Sequence, residues 1–307
     1  RYFENDDKLK QKLVNIRDKI TNFNQLNSLK KEIDLLEKEL TLFHAKAVKE
    51  TFALSRLTVD IIGFHGQTIF HNPGSKITKQ LGDGKLLSQL TKTKVVYNFR
   101  QNDLENGGQG APLVPIFHNA LANKINRKFD LGFPINILNI GGIANITSTV
   151  DDKDLWRISK IHAYDIGPGN CLIDEWIRKN SNKKYDNEGS LANSGKTDEL
   201  VLNQALDNFS LSPDYEKSLD VKDFDIFFAK GLSLENGVST ITDFTAKLIS
   251  DGMKHVHNII QPRKTRWLVC GGGRKNKHLL KSIKNNFEKL FIDPIEKYEI
   301  NGDYVES

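Results

Sequence analysis

The chain has 307 residues, 38% of them hydrophobic and 27% charged, which is the composition of a globular protein long enough for two domains. It has no apolar run of the ~18–20 residues that a membrane helix needs, and two cysteines are too few for a disulfide scaffold or a cysteine-based zinc site. With 44 Lys and Arg against 39 Asp and Glu, the net charge of +5 is too small to indicate nucleic acid by itself. We expect a cytoplasmic protein, since so few cysteines fit a reducing compartment.

Helical periodicity dominates the first fifty residues. Apolar residues recur at 4-3-4-3 spacing over 9–23 and again over 29–47. The Asn-rich stretch 21–28 predicts a break between two amphipathic helices, the second ending near Ala53. We expect a helical hairpin packed on a domain, because a coiled coil requires more uninterrupted heptads.

Short strands and helices alternate from Leu57 onward. The pattern predicts strands at 57–63, 94–99, 135–140, 143–147, 161–166 and 267–270, and helices at 115–127, 170–179, 238–258 and 276–290. This alternation indicates an α/β class. Gly132-Phe133-Pro134 predicts a hinge, which divides the chain into an N-terminal lobe, 1–133, and a C-terminal lobe, 134–307.

Glycines follow two of the predicted strands. Gly141-Gly142 separates two β-like runs and favours either a two-residue hairpin with positive φ or a loop whose amides approach an anion. Gly271, Gly272 and Gly273 lie between a strand and a helix, an arrangement that can bind phosphate or simply pack the two elements closely. The GxGxxG and GK[ST] spacings are missing, which argues against a dinucleotide fold and a Walker loop.

A carboxylate precedes a third glycine-rich turn, Gly167-Pro168-Gly169. Asp165 is predicted at the end of a strand, and Asn170 begins the next helix. Such a carboxylate could accept a proton from water or a hydroxyl, or hold a magnesium ion. On this segment alone, a helix cap is the favoured alternative.

Two loops combine small residues with hydrogen-bonding side chains. The first, 63–68, carries His65 and Gln67, and the second, 99–112, carries Arg100 and Asp103. Loops of this composition at strand ends bind polar ligands such as sugars. We expect no metal–histidine site, because His65 and His71 have no third ligand at metal-site spacing.

Together, these segments resemble one known family. GFHGQTIFHNP, NFRQNDLENGGQGAPLVP, LNIGGIANIT, YDIGPGNCLIDEW and VCGGGRKN occur in the order and spacing of anhydro-N-acetylmuramic acid kinases, and 185–189 and 217–220 are similar to that family too. The resemblance runs from about the second helix to Ser307. It implies a two-lobed sugar kinase/actin-like fold with ATP and sugar in the cleft between the lobes.

The resemblance also implies a reaction. Members open the 1,6-anhydro bridge of the muramyl sugar with water and transfer the γ-phosphate of ATP to O6, with Mg²⁺, in peptidoglycan recycling. It implies that Asp165 is the general base and that the sugar side is formed by His65, Gln67, Arg100 and Asp103. It implies nucleotide contacts for seven glycines, namely Gly141, Gly142, Gly167, Gly169, Gly271, Gly272 and Gly273.

The chain departs from the family pattern in three places. The family's opening strand and Gly-Thr-Ser-x-Asp-Gly-x-Asp loop have no match, so the first lobe is expected to be incomplete, and 302–307 resembles only the entry to a closing helix. Asn98 stands where the family has Asp. One alternative is therefore a truncated, inactive remnant with residual sugar or nucleotide binding, and a remoter one is an interaction module built on the basic N-terminal helices. Nucleic acid and membrane partners are not expected, and a homodimer is left open.

Overall fold

In this computed structural model, the described residues are 3, 6–55, 58–151, 161–209, 219–260, 266–287 and 291–306. Strands and helices alternate along them, which confirms the α/β class. Residue 57 of the first predicted strand, 217 and 218 of the family-like segment, and 288–290 of the last predicted helix lie outside the described residues.

The chain divides into two compact units, Arg1–Leu113 and Val114–Ser307. The division falls before the predicted hinge at 132–134, because helix α6 (Pro115–Phe129) packs with the residues that follow it. Its apolar residues Leu121 and Ile125 share a core cluster with the strand that begins at Ile135. The compact units therefore do not divide where the predicted lobes do.

Three helices open the first unit: α1 (Asp7–Lys19), α2 (Asn24–Ser28) and α3 (Lys30–Ser55). The two long helices confirm the predicted pair, and the short α2 fills the predicted break. Their apolar stripes meet in one core cluster that contains Leu9, Ile16, Ile33, Leu36, Leu40, Ile69 and Leu81.

The rest of the first unit contains two small sheets. Strand β1 (Ile61–Phe64) pairs in parallel with β4 (Lys94–Tyr97), and β2 (Gln67–Asn72) pairs antiparallel with β3 (Ile77–Leu81). Helices α4 (Gly84–Thr91) and α5 (Phe99–Glu105) complete it. The β2–β3 hairpin was not predicted, since its strands are too polar for a clear period-two pattern.

A five-stranded sheet forms the centre of the second unit, in the order β7-β6-β5-β8-β9. Its strands are β5 (Ile135–Ile140), β6 (Ile143–Ser148), β7 (His162–Pro168), β8 (Arg266–Cys270) and β9 (Phe291–Pro294). Strands β5, β8 and β9 are parallel neighbours, and β6 runs antiparallel to both β5 and β7. Strands β5, β7 and β8 therefore all end at the same edge.

Helices cover both faces of this sheet. They are α6, α7 (Cys171–Asn180), α8 (Ser190–Ser194), α9 (Glu199–Asn208), α10 (Leu234–Ile260) and α11 (Lys277–Asn286). One face shares a large cluster with α7 and α10, and the opposite face shares a smaller cluster with α6 and the segment after β9. Because successive side chains of a strand alternate between faces, β5 and β8 each supply residues to both cores.

Candidate functional site

Three glycine-rich turns lie close together at one edge of the five-stranded sheet. The backbone N–H of Asn170 donates to the carbonyl of Gly141 at 2.7 Å, and the N–H of Gly169 donates to that of Gly142 at 2.9 Å. Gly271 lies against Ile140, because a Cβ there would be 2.6 Å from the Ile140 carbonyl oxygen. The segments that the sequence singled out separately thus form one site, since the strands preceding them end at the same edge.

The Gly141-Gly142 turn is a hairpin, as predicted, but not of the predicted type. Strands β5 and β6 pair with Ile140 opposite Ala144, leaving two residues in the turn. Neither Gly141 nor Gly142 is among the glycines with positive φ, so the expected left-handed conformation is wrong. Backbone strain therefore does not explain why both positions are glycine.

Four of the seven predicted nucleotide-binding glycines are required by the fold itself. A Cβ would lie 2.2 Å from the Gly141 carbonyl oxygen at Gly169 and 2.2 Å from Ile140 Cγ2 at Gly273. Gly271 and Gly167 both have positive φ, at 77° and 149°. Close packing, the alternative that the sequence offered for 271–273, thus holds for Gly271 and Gly273, and the fold requires glycine at Gly167 and Gly169 as well.

At the other three glycines, neither a close contact nor a positive φ requires glycine. A Cβ at Gly141 would lie 3.4 Å from the nearest atom, one at Gly272 3.7 Å and one at Gly142 4.0 Å, which are ordinary contact distances. Glycine at such positions admits a ligand close to the backbone. By contrast, the N–H groups of 169–171, at the start of α7, already donate to the carbonyls of the turn. An anion at this edge would therefore bind by approaching the backbone of the turn closely, and not by contacting unpaired N–H groups at the start of α7.

Asp165 lies within β7 rather than at its end. It pairs with Asn145 of β6, beside a bulge, and its Oδ2 accepts a 3.0 Å hydrogen bond from the backbone N–H of Leu219. The N-cap of α7 is Asn170, so the alternative in which Asp165 caps that helix is wrong. The half-buried carboxylate is held at a defined place in the sheet.

Glu306 approaches Asp165 and was missed in the sequence. Burial and the negative charge of Asp165 raise the pKa of Glu306 to about 7, against the opposing effect of a hydrogen bond with Asn145. Two carboxyl groups in different environments therefore share this part of the sheet. The segment around Glu306 had been recognised only as the entry to a closing helix, because no local pattern marks a contact with β7.

Glu306 is held in place through the last glycine turn. The N–H of Gly271 donates to the Gly302 carbonyl at 3.0 Å, and Arg274 Nη1 donates to Asp303 Oδ1 at 2.8 Å. Val305 is buried in the core on the α6 side. The turn after β8 thus also positions the carboxyl group of Glu306.

In the first unit, Arg100 and Asp103 meet around one backbone group. Arg100 Nη1 donates to the Gly110 carbonyl at 2.7 Å, and Asp103 Oδ2 accepts from the Gly110 N–H at 2.7 Å. These side chains therefore fix the loop that follows α5. Asn98, where the family has Asp, has φ 59°, and Asn tolerates this left-handed conformation better than most residues.

His65 and Gln67 lie at the turn between β1 and β2, and both are exposed. The nearby His71 Nδ1 lies 3.1 Å from Thr78 Oγ1, and burial together with Arg100 lowers the pKa of His71. The structure thus gathers the predicted sugar-side residues of 99–112 around Gly110, while it leaves those of 63–68 open to solvent.

Within the described part of the chain, no group of three or more His, Cys, Asp or Glu side chains could hold a metal ion. Magnesium in kinase sites is bound largely by substrate phosphates and water, with one or two carboxylates. None of the described helices is long and apolar enough to span a membrane.

Comparison with known proteins places the chain in a class and then in a family. It is an α/β protein of the sugar-kinase class. It belongs to the anhydro-N-acetylmuramic acid kinase family, whose model matches residues 4–307. A family member from Pelagibacter ubique (strain HTCC1062) is 48% identical over all of this chain and 80% of its own length. One from Zymomonas mobilis subsp. mobilis is 38% identical over 87% of this chain and 70% of its own.

Two solved structures show more distant similarity. The activator of the 2-hydroxyisocaproyl-CoA dehydratase from Clostridium difficile, with bound ADPNP, covers 75% of this chain and 81% of its own at 14% identity and a TM-score of 0.38. A ROK family glucokinase from Streptomyces griseus, in complex with glucose and AMPPNP, covers 85% and 84% at 13% identity and a TM-score of 0.37.

Proposed function

We propose that this protein uses ATP to convert 1,6-anhydro-N-acetylmuramic acid into N-acetylmuramic acid 6-phosphate, in the cytoplasm, as part of peptidoglycan recycling. Family membership supports the substrate and the phosphate donor. The observation that carries the chemistry is the position of Asp165, fixed in β7 beside Glu306 and a turn that a ligand can approach closely.

Asp165 is the general base in this proposal. Water attacks the anomeric carbon as Asp165 accepts its proton, the bond from that carbon to O6 breaks, and O6 forms a bond to the γ-phosphorus as ADP departs. Two neighbouring carboxyl groups in different environments suit separate acid and base roles. Glu306 carries a proton for part of the time at neutral pH, because burial and the charge of Asp165 raise its pKa to about 7.

The nucleotide contacts involve the turns at the strand ends. Gly141, Gly142 and Gly272 admit a phosphate or the nucleoside close to the backbone. The other four glycines, Gly167, Gly169, Gly271 and Gly273, shape those turns. Bound with ATP, Mg²⁺ would offset the charge on the phosphate oxygens.

His65, Gln67, Arg100 and Asp103 remain proposed for the sugar. Arg100 and Asp103 would act mainly by fixing the loop at Gly110, since their side chains bond to its backbone. Exposed His65 and Gln67 are free to reach a ligand's hydroxyl groups.

Release of ADP, coupled to an optical readout in the presence of the anhydro sugar, tests the proposal. Asp165→Asn should lower kcat by about 10³-fold, because it removes the base and leaves the shape. Asp207→Asn, on the exposed side of α9, is the matched control and should leave the rate unchanged. Wild-type turnover that survives Asp165→Asn would exclude this mechanism. Binding of sugar or ADP without turnover would instead favour the inactive remnant.

A further inference from the structure

His118 is a fully buried polar side chain on the sheet-facing side of α6. Its side chain is 0% exposed, and its Nδ1 lies 2.8 Å from Thr147 Oγ1. Among the described residues, Nε2 has no hydrogen-bond partner, and it lies 3.7 Å from Glu306 Oε1. A buried polar atom left without a partner destabilises the folded state, so this arrangement calls for a specific reason.

Strand β6 brings His118 to the site already described. Asn145 and Thr147 are two residues apart, so they lie on the same face of the sheet. Asn145 is opposite Asp165 and bonds with Glu306, whereas Thr147 contacts His118. The imidazole thus lies one residue pair further along the strand than the two carboxyl groups, with a nitrogen facing one of them.

We propose that His118 is a positioning residue: Thr147 fixes its ring, and its Nε2–H holds the Glu306 carboxyl group beside Asp165. The proposal rests on the proposed function, since it gives Glu306 a place in that reaction. A modest side-chain rotation of Glu306 would shorten the 3.7 Å separation to hydrogen-bond length. His118 would not touch the substrate itself.

The protonation state of His118 favours this role. Burial lowers the pKa of His118 to about 4, so the ring is neutral at pH 7 and carries one N–H. If the Thr147 hydroxyl donates to Nδ1, that proton is on Nε2 and faces Glu306. Among the described residues, the ionisable groups around Glu306 are Asp165 from β7, His118 from α6 and Cys270 from β8. Burial, and to a smaller extent the Glu306 charge, raise the pKa of the Cys270 thiol.

The first test is the pH profile of kcat/KM. His118→Leu removes the donor, so the ionised form of Glu306 loses support and its limb of the profile should move up by about one pH unit. His118→Gln, which retains an N–H donor, should restore part of the shift. In a Glu306→Gln background, His118→Leu should have no further effect on kcat. An equal loss of rate at every pH, in both backgrounds, would overturn the proposal.

A second test does not depend on turnover. Titration of the ¹³C-labelled Glu306 carboxyl by NMR should show the same upward shift in His118→Leu, and ¹⁵N shifts of the imidazole should place the proton on Nε2. If His118→Leu does not fold, Thr147→Val takes its place and should alter the tautomer. An unchanged Glu306 titration overturns the positioning role even in an active enzyme. A shifted titration in a protein that never releases ADP supports it and refutes the proposed function alone.

Discussion

Asn145 of β6 faces Asp165 of β7 across the sheet, and its side chain hydrogen-bonds with Glu306. The same register continues to Asn139 of β5 and Cys270 of β8. A row of Asp165, two asparagines and a cysteine therefore crosses four strands of the sheet. Burying such groups costs free energy unless they are hydrogen-bonded. Here Cys270 Sγ donates to Asn139 Oδ1 at 3.7 Å, and Asn145 bonds with Glu306.

Asn145 should matter to activity more than its neighbour Asn139. Asn145→Ala removes the amide that bonds with Glu306, and we expect kcat to fall about tenfold, one hydrogen bond to a charged group being worth roughly 1.5–3 kcal/mol. Asn139→Ala, further along the row, is the matched comparison. Steady-state ADP release measures both, and a larger loss in Asn139→Ala would mean that the row acts elsewhere than at Asp165.

The pH dependence of stability should separate the contributions of His118 and Glu306. Folding lowers the pKa of His118 from 6.5 to about 4, so its contribution is full above pH 6.5 and is lost as pH falls to 4. Folding raises the pKa of Glu306 from 4.5 to about 7, so its contribution is full below pH 4.5 and is lost as pH rises to 7. For the fully buried His118 the effect amounts to about 3 kcal/mol. Glu306 is partly exposed, so solvent screens its effect to a smaller value, and between pH 4.5 and 6.5 the two effects oppose each other.

Single substitutions should reveal how each of the two groups changes the free energy of unfolding with pH. Urea unfolding of Glu306→Gln should show stability that rises with pH from 4 to 6.5, since the His118 effect then stands alone. His118→Leu should show stability that falls as pH rises above 4.5, over a range that extends past pH 7 because the pKa of Glu306 is raised further in this variant. Wild type is the reference for all other titrating groups. Parallel curves for the three proteins would contradict the assigned protonation states.

Substitutions in the glycine turns should separate effects on nucleotide binding from effects on stability. Gly142→Ala places a methyl group 4.0 Å from the nearest internal atom, so the free energy of unfolding should change by less than about 1 kcal/mol while ADP binds at least tenfold more weakly. Gly273→Ala forces a 2.2 Å contact with Ile140 and should destabilise by about 1–3 kcal/mol. Calorimetric ADP titration and urea unfolding check both. Unweakened ADP binding in Gly142→Ala would remove that turn from the nucleotide site.

Much of the second unit is readable from the sequence, because its strands are apolar and end in glycines. Strand β5 is buried along its whole length, and its observed bounds are those predicted. The glycine turns lie close together because these strands end at the same edge of the sheet. Glu306 and His118 could not be predicted in this way, because their relation joins α6 to a segment almost 190 residues later, and no local period encodes that contact. The polar β2–β3 hairpin was missed because its alternation is weak.

Arg274 should anchor the segment that carries Glu306. Its side chain is 7% exposed and bonds with the Gly271 carbonyl, Glu296 and Asp303. Arg274→Met should cost about 2 kcal/mol and lower kcat, because Glu306 loses its fixed position. Lys275→Met removes a pair with the same Asp303 from a 58% exposed side chain, and should cost less than about 1 kcal/mol. Equal effects of the two variants on kcat would show that activity depends on the ion pair with Asp303 and not on the buried guanidinium of Arg274.

The loop at Gly110 should affect the KM for the sugar and not the KM for ATP. Asp103→Ala removes the acceptor of the Gly110 N–H and loosens a loop that Arg100 holds from the carbonyl side. We expect KM for the anhydro sugar to rise about tenfold, with KM for ATP unchanged, since the nucleotide turns belong to the other unit. Glu105→Ala, exposed at the end of the same helix, is the control and should change neither constant. A rise in KM for ATP alone would reassign this loop to the nucleotide.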